Sequence, residues 1–154
     1  MKLCFDTNVL VYAFDPKAVP AGRHAAAIGL LKRAETPGYE VVLALQSLGE
    51  FIHVAVPKCR IAPPVAIAAA DALRAVFPVV AADEGCFERA CRIYLDHGIP
   101  FRDALLLATA QRAGCALLLS EDGHDGMRVG GVTIVNPVNE KNRELLDAAL
   151  PPTD

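Results

Sequence analysis

The sequence predicts a single α/β domain with a mostly parallel central sheet. Short apolar segments rich in strand-forming residues alternate with longer segments in which apolar residues recur at helical spacing. Neighbouring parallel strands require a crossover connection, usually a helix, so this alternation favours parallel pairing. The 154 residues are enough for one domain with a substantial core. We therefore expect residues 1–150 to form one domain and residues 151–154 to be a frayed C-terminal tail.

Composition restricts the class of protein. The chain is 53% hydrophobic and 21% charged, which is typical of a folded globular protein. Its net charge of −3 excludes a general basic field, so binding to a polyanion would require a local patch or bound metal. The odd number of cysteines, without a Cys-x-x-Cys pair, indicates free thiols in a reducing compartment. Without a membrane-spanning stretch or a recognisable leader, we expect a cytoplasmic location.

The first half of the chain is predicted to begin with a buried strand at Lys2. This strand breaks at Asp6, and apolar sequence resumes through Phe14 before a loop around Asp15-Pro16. Apolar periodicity then predicts a helix at 24–34, a strand at 40–45, helices at 46–56 and 63–76, and a strand at 79–81. Pro57 is expected to end the second of these helices.

In the second half of the chain, capping residues predict where the helices begin and end. Asp83 is a plausible N-cap for a helix that ends near Gly98, and Gly114 closes an apolar helix at 102–113. A buried strand at 116–119, a glycine-rich loop at 120–131 and a strand at 132–135 follow. The pattern of apolar residues then predicts an amphipathic helix over 139–150.

Four acids occur where this architecture would bring side chains together. Sites in open parallel sheets lie beyond the carboxyl ends of the strands, where acids on strand ends and on neighbouring helices converge. Without a cation such carboxylates would repel one another, whereas an oxygen-rich pocket suits a hard divalent ion. The four acids are Asp6, Glu50, Asp103 and Asp122.

Each acid also has an ordinary structural interpretation. Asp6 is either a hydrogen-bond acceptor after the first strand or a metal ligand. Glu50, in an otherwise apolar helix, either points to the solvent-exposed rim or is held in the interior by a cation. Asp103 could be a helix-start residue favoured by the helix dipole, and Asp122, before Gly123, could belong to a turn.

At these acids the sequence resembles the PIN-domain family of metal-dependent ribonucleases, and within it the VapC-like toxins of bacterial toxin–antitoxin pairs. The matching segments occur in the family's order and span nearly the whole chain. They are FDTNVLVYA at 5–13, QSLGEF at 46–51, RDALLLATA at 102–110, LSED at 119–122 and VTIVNP at 132–137. The sequence departs from the commonest pattern at Gly49, where the family often has Asn.

The resemblance implies a three-layer α/β/α domain with four or five strands and a Mg²⁺ or Mn²⁺ cofactor. The implied catalytic acids are Asp6, Glu50, Asp103 and Asp122. The implied metal ligands are Asp6, Asp103 and Asp122, of which Asp122 is either a direct ligand or a partner behind the ligands. Glu50 would be a further ligand or a water-positioning base. The implied supporting residues are Thr7, Asn8 and Ser120. Asp125 is added to them as an extra acid near Asp122, in the glycine-rich segment where the sequence also departs from the family's pattern.

The expected activity is endonucleolytic hydrolysis of RNA. Carboxylate-held divalent ions can activate water and neutralise charge on the phosphate, so no nucleophilic side chain is needed. Arg102, beside Asp103, is a hypothetical phosphate contact, and His53, one turn after Glu50, either reaches the site or lies on the helix surface.

The resemblance also implies a homodimer neutralised by a small antitoxin. The alternatives are a housekeeping RNA-processing nuclease and a non-catalytic binding or dimerisation module with a degenerate acidic pocket. The motifs do not specify the RNA that is cleaved or the number of metal ions.

Overall fold

A computed structural model describes residues 1–153 and shows a six-stranded sheet in the order β3-β2-β1-β4-β6-β5. The strands are β1 Lys2–Phe5, β2 Glu40–Ala44, β3 Val79–Val80, β4 Leu117–Leu119, β5 Arg128–Val129 and β6 Val132–Val135. The helices are α1 Thr7–Phe14, α2 Arg23–Ala34, α3 Leu45–Lys58, α4 Pro63–Val76, α5 Glu84–His97, α6 Phe101–Arg112 and α7 Arg143–Ala149. All pairings are parallel except that of β5 with β6.

Helices cover both faces of the sheet and enclose two cores. In β1, Leu3 and Phe5 point into one core and Cys4 into the other, because successive side chains of a strand alternate between faces. The first core is completed by α1 to α4 and α7, and the second by α5 and α6. The predicted mostly parallel α/β/α arrangement is thereby confirmed.

The central position of β1 determines where a site can form. Its neighbours are β2 on one side and β4 on the other, so the chain changes direction across the sheet at this strand. The backbone N–H of Asp6 donates to the Leu119 carbonyl at 2.9 Å, and that of Ser120 donates to the Val135 carbonyl at 3.0 Å. These bonds extend the sheet past its strand ends and bring Asp6 beside Ser120.

The expected four or five strands are wrong in number, because the predicted glycine-rich loop contains β5. Gly130 and Gly131, with φ of 57° and 83°, join β5 to β6 in a tight hairpin. Two-residue hairpins of this kind need positive φ at both positions. A Cβ added to Gly130 would also displace the Gln111 side-chain amide, whose nitrogen would be 2.6 Å away, but the positive φ is the stronger requirement for glycine.

Three other boundaries differ from the sequence-based expectations. The apolar segment after Asp6 forms helix α1, since Asp6 has extended backbone and caps it through the Thr7 N–H. Pro57 lies inside α3, where only one helical residue follows it. The predicted C-terminal helix is divided into a 3₁₀ turn at Glu140–Asn142 and α7.

Pro151 to Thr153 form no helix or strand, and Asp154, the last residue of the predicted tail, lies outside the described residues. No helix in the described part of the chain is long and apolar enough to cross a membrane. Cys4, Cys86 and Cys115 are buried thiols, whereas Cys59 and Cys91 are half-buried.

Candidate metal centre

Three of the four predicted acids converge at the carboxyl ends of the central strands. Asp6 follows β1, Asp122 follows β4, and Asp103 lies in the first turn of α6. One carboxylate oxygen from each lies within 4.8 Å of the others. Three hard oxygen ligands at this spacing match the donor set preferred by Mg²⁺ and Mn²⁺.

Asp6 is the most buried of the three, with 5% of its surface exposed. One carboxylate oxygen accepts a hydrogen bond from the Ser120 hydroxyl at 2.7 Å, and the other accepts one from the Thr7 N–H at 2.6 Å. Burial and, to a smaller extent, the neighbouring Asp122 raise the pKa of Asp6 to about 7, against the opposing effect of the Ser120 and Thr7 bonds. The ionised form of Asp6 is therefore costly in the absence of a cation.

Asp103 experiences the same electrostatic conflict in a half-buried position. Burial raises its pKa above the ordinary range, and the charge of Asp122 adds to this effect. Arg102 and His124 oppose it without reversing it. The three carboxylates thus lie in surroundings that lack sufficient positive charge, and a divalent cation would supply it.

Glu50 lies beside this group. Its side chain is 19% exposed and forms an ion pair with Arg102, with Nε and Oε1 separated by 3.3 Å. The Thr7 hydroxyl donates to Glu50 Oε2 at 2.8 Å, and the Gln46 amide donates to Oε1 at 3.3 Å. Glu50 is therefore held by a cation of the protein itself, and Thr7 links it to Asp6.

A cleft of about 140 Å³ connects Glu50 to the metal centre. Its polar lining includes the carboxylates of Asp6 and Asp122, and the side chain of Arg102 is 65% exposed beside Glu50. Asn8 also lines this cleft, and its amide nitrogen and oxygen are shielded from solvent without a hydrogen-bond partner in the described structure. The complete lining is Asp6, Thr7, Asn8, Val11, Tyr12, Glu50, Val54, Lys58, Arg102 and Asp122.

Asp125, the additional acid expected to support the site, is not part of the three-carboxylate group. Its oxygens accept hydrogen bonds from the Asn136 N–H and from the side chains of Asn139 and Asn142, at 2.7 to 2.8 Å. Burial raises its pKa, but these bonds together outweigh burial and hold the pKa below its ordinary value. Asp125 therefore fastens the segment after β6 to the loop before β5.

The sequence model of the PIN domain matches residues 3–125, a range that contains all four predicted acids. The chain belongs to the PIN domain family. This membership agrees with the resemblance found in the sequence motifs. No curated protein matches the sequence.

Solved structures of toxins share the fold of this PIN domain. VapC20 of Mycobacterium tuberculosis, described as a toxin that cleaves the sarcin–ricin loop, matches with 23% identity, a TM-score of 0.63 and coverage of 79% of this chain and 91% of its own. A toxin–antitoxin complex from Klebsiella pneumoniae matches with 24% identity and a TM-score of 0.62, covering 90% and 99%. VapBC-1 of nontypeable Haemophilus influenzae matches with 16% identity and a TM-score of 0.65, covering 90% and 100%. At these identities the likeness establishes the fold.

Sequence reasoning missed two groups that surround the acids of this PIN domain. His124 lines the pocket with Asp6, Asp103 and Asp122, and its position two residues after Asp122 was the available signal. Arg23 of α2 forms an ion pair with Glu121 at 2.5 Å, next to Asp122 in the chain, and no sequence pattern indicated this contact. By contrast, His53 is exposed and lines neither the metal centre nor the cleft.

Proposed function

We propose that this PIN domain is a metal-dependent endoribonuclease that uses Mg²⁺ or Mn²⁺ held by Asp6, Asp103 and Asp122. The observation that carries the proposal is the convergence of these carboxylates without an ion pair to any basic side chain in the described residues. Structural acids of this protein, such as Asp147 and Glu121, have arginine partners instead. In a pocket that binds no metal, three unpaired carboxylates would only repel one another, so their convergence argues against a degenerate pocket.

The side chains around the acids have distinct tasks in this proposal. Ser120 and Thr7 orient the Asp6 carboxylate, and Thr7 also fixes Glu50 through its hydroxyl. Glu50, at the wall of the cleft, is placed to accept a hydrogen bond from a water beside the scissile phosphate. A bound divalent ion supplies positive charge for the phosphate oxygens and lowers the pKa of water. Hydrolysis therefore requires no covalent attachment of RNA to the protein.

We further propose that the enzyme is the toxin of a toxin–antitoxin pair. Its fold is shared with VapC20 and with toxins solved together with antitoxins. A small antitoxin that inserts a basic residue among the unpaired carboxylates would be attracted by their charge and would block access to the metal. We also propose a homodimer, which light scattering of the purified protein would test. Growth arrest on induction, relieved by the product of an adjacent reading frame, distinguishes a toxin from a housekeeping nuclease.

The activity is tested with labelled RNA and purified protein. Suitable substrates are a single-stranded RNA, a transfer RNA and a sarcin–ricin loop RNA, incubated with Mn²⁺, Mg²⁺ or EDTA. We expect cleavage with either metal, none with EDTA, and a loss of at least about a hundredfold for Asp103→Asn. Asp96→Asn changes an exposed acid of α5 in the same way and should cleave normally. Equal cleavage by wild type and Asp103→Asn would contradict the proposal.

A further inference from the structure

The cleft beside the metal centre contains a second cation, Lys58, at the end of α3. Its ammonium lies 5.5 Å from the centre of the Tyr12 ring. No carboxylate in residues 1–153 forms an ion pair with it, although Asp6, Glu50 and Asp122 line the same cleft. The other basic residue of the cleft, Arg102, is paired with Glu50. Lys58 is thus the unpaired positive charge of the cleft.

The contact with Tyr12 restrains the position of this charge. Tyr12 is half-buried and packs against the first core, so its ring is a firm support for the ammonium. Lys58 lies eight residues after Glu50 in α3, about 12 Å along the helix axis. A backbone separation of this size suits contacts by the two side chains with different parts of a bound strand.

Asn8 supplies an independent indication that this cleft suits a polar ligand. Both polar atoms of its amide are shielded from solvent and lack hydrogen-bond partners within the described structure. Shielded amides are normally satisfied, so an unpaired one in a cleft suits a polar ligand. An amide donor and an ammonium on the walls of one cleft match the oxygens of a sugar–phosphate backbone.

We propose that Lys58, supported by Tyr12, forms a subsite for a phosphate that neighbours the scissile one in a bound single-stranded RNA. This inference rests on the proposed ribonuclease function and identifies how the strand is aligned in the cleft. Lys58 is a positioning residue, because it holds a phosphate that does not react. The subsite also offsets the repulsion between the acidic centre and the polyanion on one side of the scissile bond.

Salt dependence of binding tests the subsite directly. Fluorescence anisotropy measures the binding of a fluorescein-labelled single-stranded RNA of mixed sequence to the Asp103→Asn protein in Mg²⁺ over a series of salt concentrations. Loss of one phosphate contact reduces the slope of log affinity against log salt by about 0.7 for a single strand. We expect this reduction for Lys58→Gln, and an unchanged slope for Lys58→Arg, which retains the charge.

Lys32→Gln is the matched control, since Lys32 is an exposed lysine of α2 outside the cleft. An unchanged slope for Lys58→Gln, or an equal reduction for Lys32→Gln, would overturn the subsite. A lower melting temperature with an unchanged slope would assign Lys58 to stabilising the C-terminus of α3 instead. Cleavage by the wild-type protein is measured in parallel. If the wild-type protein cleaves RNA while Lys58→Gln shows the same salt dependence of binding as the protein that retains Lys58, only the subsite proposal is wrong. If it neither binds nor cleaves RNA, both proposals fail.

Discussion

Replacing Asp6 by Asn should stabilise the metal-free protein at pH 8 and leave its stability at pH 5 nearly unchanged. The folded-state pKa of Asp6 is about 7, above its ordinary value of 3.8. As pH rises, the unfolded chain therefore releases this proton before the folded protein does. The free energy of unfolding falls between about pH 4 and pH 7, and the contribution of Asp6 is fully lost above that range.

The size of the effect follows from the pKa shift and from one hydrogen bond. Ionising Asp6 in the folded protein costs at most about 4 kcal/mol, at 1.36 kcal/mol for each pKa unit. Asn has one acceptor oxygen in place of two, so one of the bonds from Ser120 and Thr7 is weakened, at a cost of about 1 kcal/mol. We expect a net gain of about 2–3 kcal/mol at pH 8, which raises the melting temperature by roughly 5–10 °C.

Thermal and urea unfolding in EDTA at pH 5 and pH 8 measure this difference. Asp96→Asn, at an exposed position of α5, is the control and should show no pH-dependent gain. With Mn²⁺ at pH 8 the order should reverse, because the wild-type carboxylate binds the ion and the amide binds it poorly. Equal destabilisation of Asp6→Asn at both pH values would refute the account, since burial would then not penalise the carboxylate.

Three further substitutions separate the roles of the surrounding residues. Ser120→Ala removes the hydroxyl that donates to the Asp6 carboxylate and should lower Mn²⁺ affinity about tenfold in calorimetric titration. An unchanged affinity would show that this hydroxyl does not orient the carboxylate. Arg23→Gln breaks the ion pair with Glu121, which should slow RNA cleavage roughly tenfold or more and lower the free energy of unfolding by about 1 kcal/mol. Undiminished cleavage would show that this pair does not position Asp122. Asp125→Ala should lower the free energy of unfolding by about 1–2 kcal/mol in urea titrations and leave Mn²⁺ affinity unchanged. Weakened metal binding would show that Asp125 belongs to the metal site.

The sequence predicted the parts of this protein that depend on local chemistry. Asp83 as an N-cap and Gly98 as a helix end were both correct, because each satisfies backbone groups within its own segment. The convergence of Asp6, Asp103 and Asp122 was also predicted, since parallel strands present their carboxyl ends at one edge. These features need only the order of strands and helices.

The features that the sequence did not predict depend mainly on contacts between residues far apart in the chain, which no local pattern indicates. Helix α1 was left unassigned because nearly all of its eight residues are apolar, so they show no helical periodicity. The pairing of Arg23 with Glu121 joins positions almost a hundred residues apart, so only the folded structure shows it. Asp125 was assigned to the site because it is near in sequence, although its oxygens are used by three asparagines.

The central claim is that Asp6, Asp103 and Asp122 together hold a divalent ion. Anomalous diffraction from a crystal grown with Mn²⁺ tests it most directly, because the signal locates the ion without any assumption about activity. We predict a peak among the three carboxylates, bound by them directly or through water, and its loss in Asp103→Asn. A peak at Asp125, or no peak in crystals of a protein that cleaves RNA with Mn²⁺, would contradict the account.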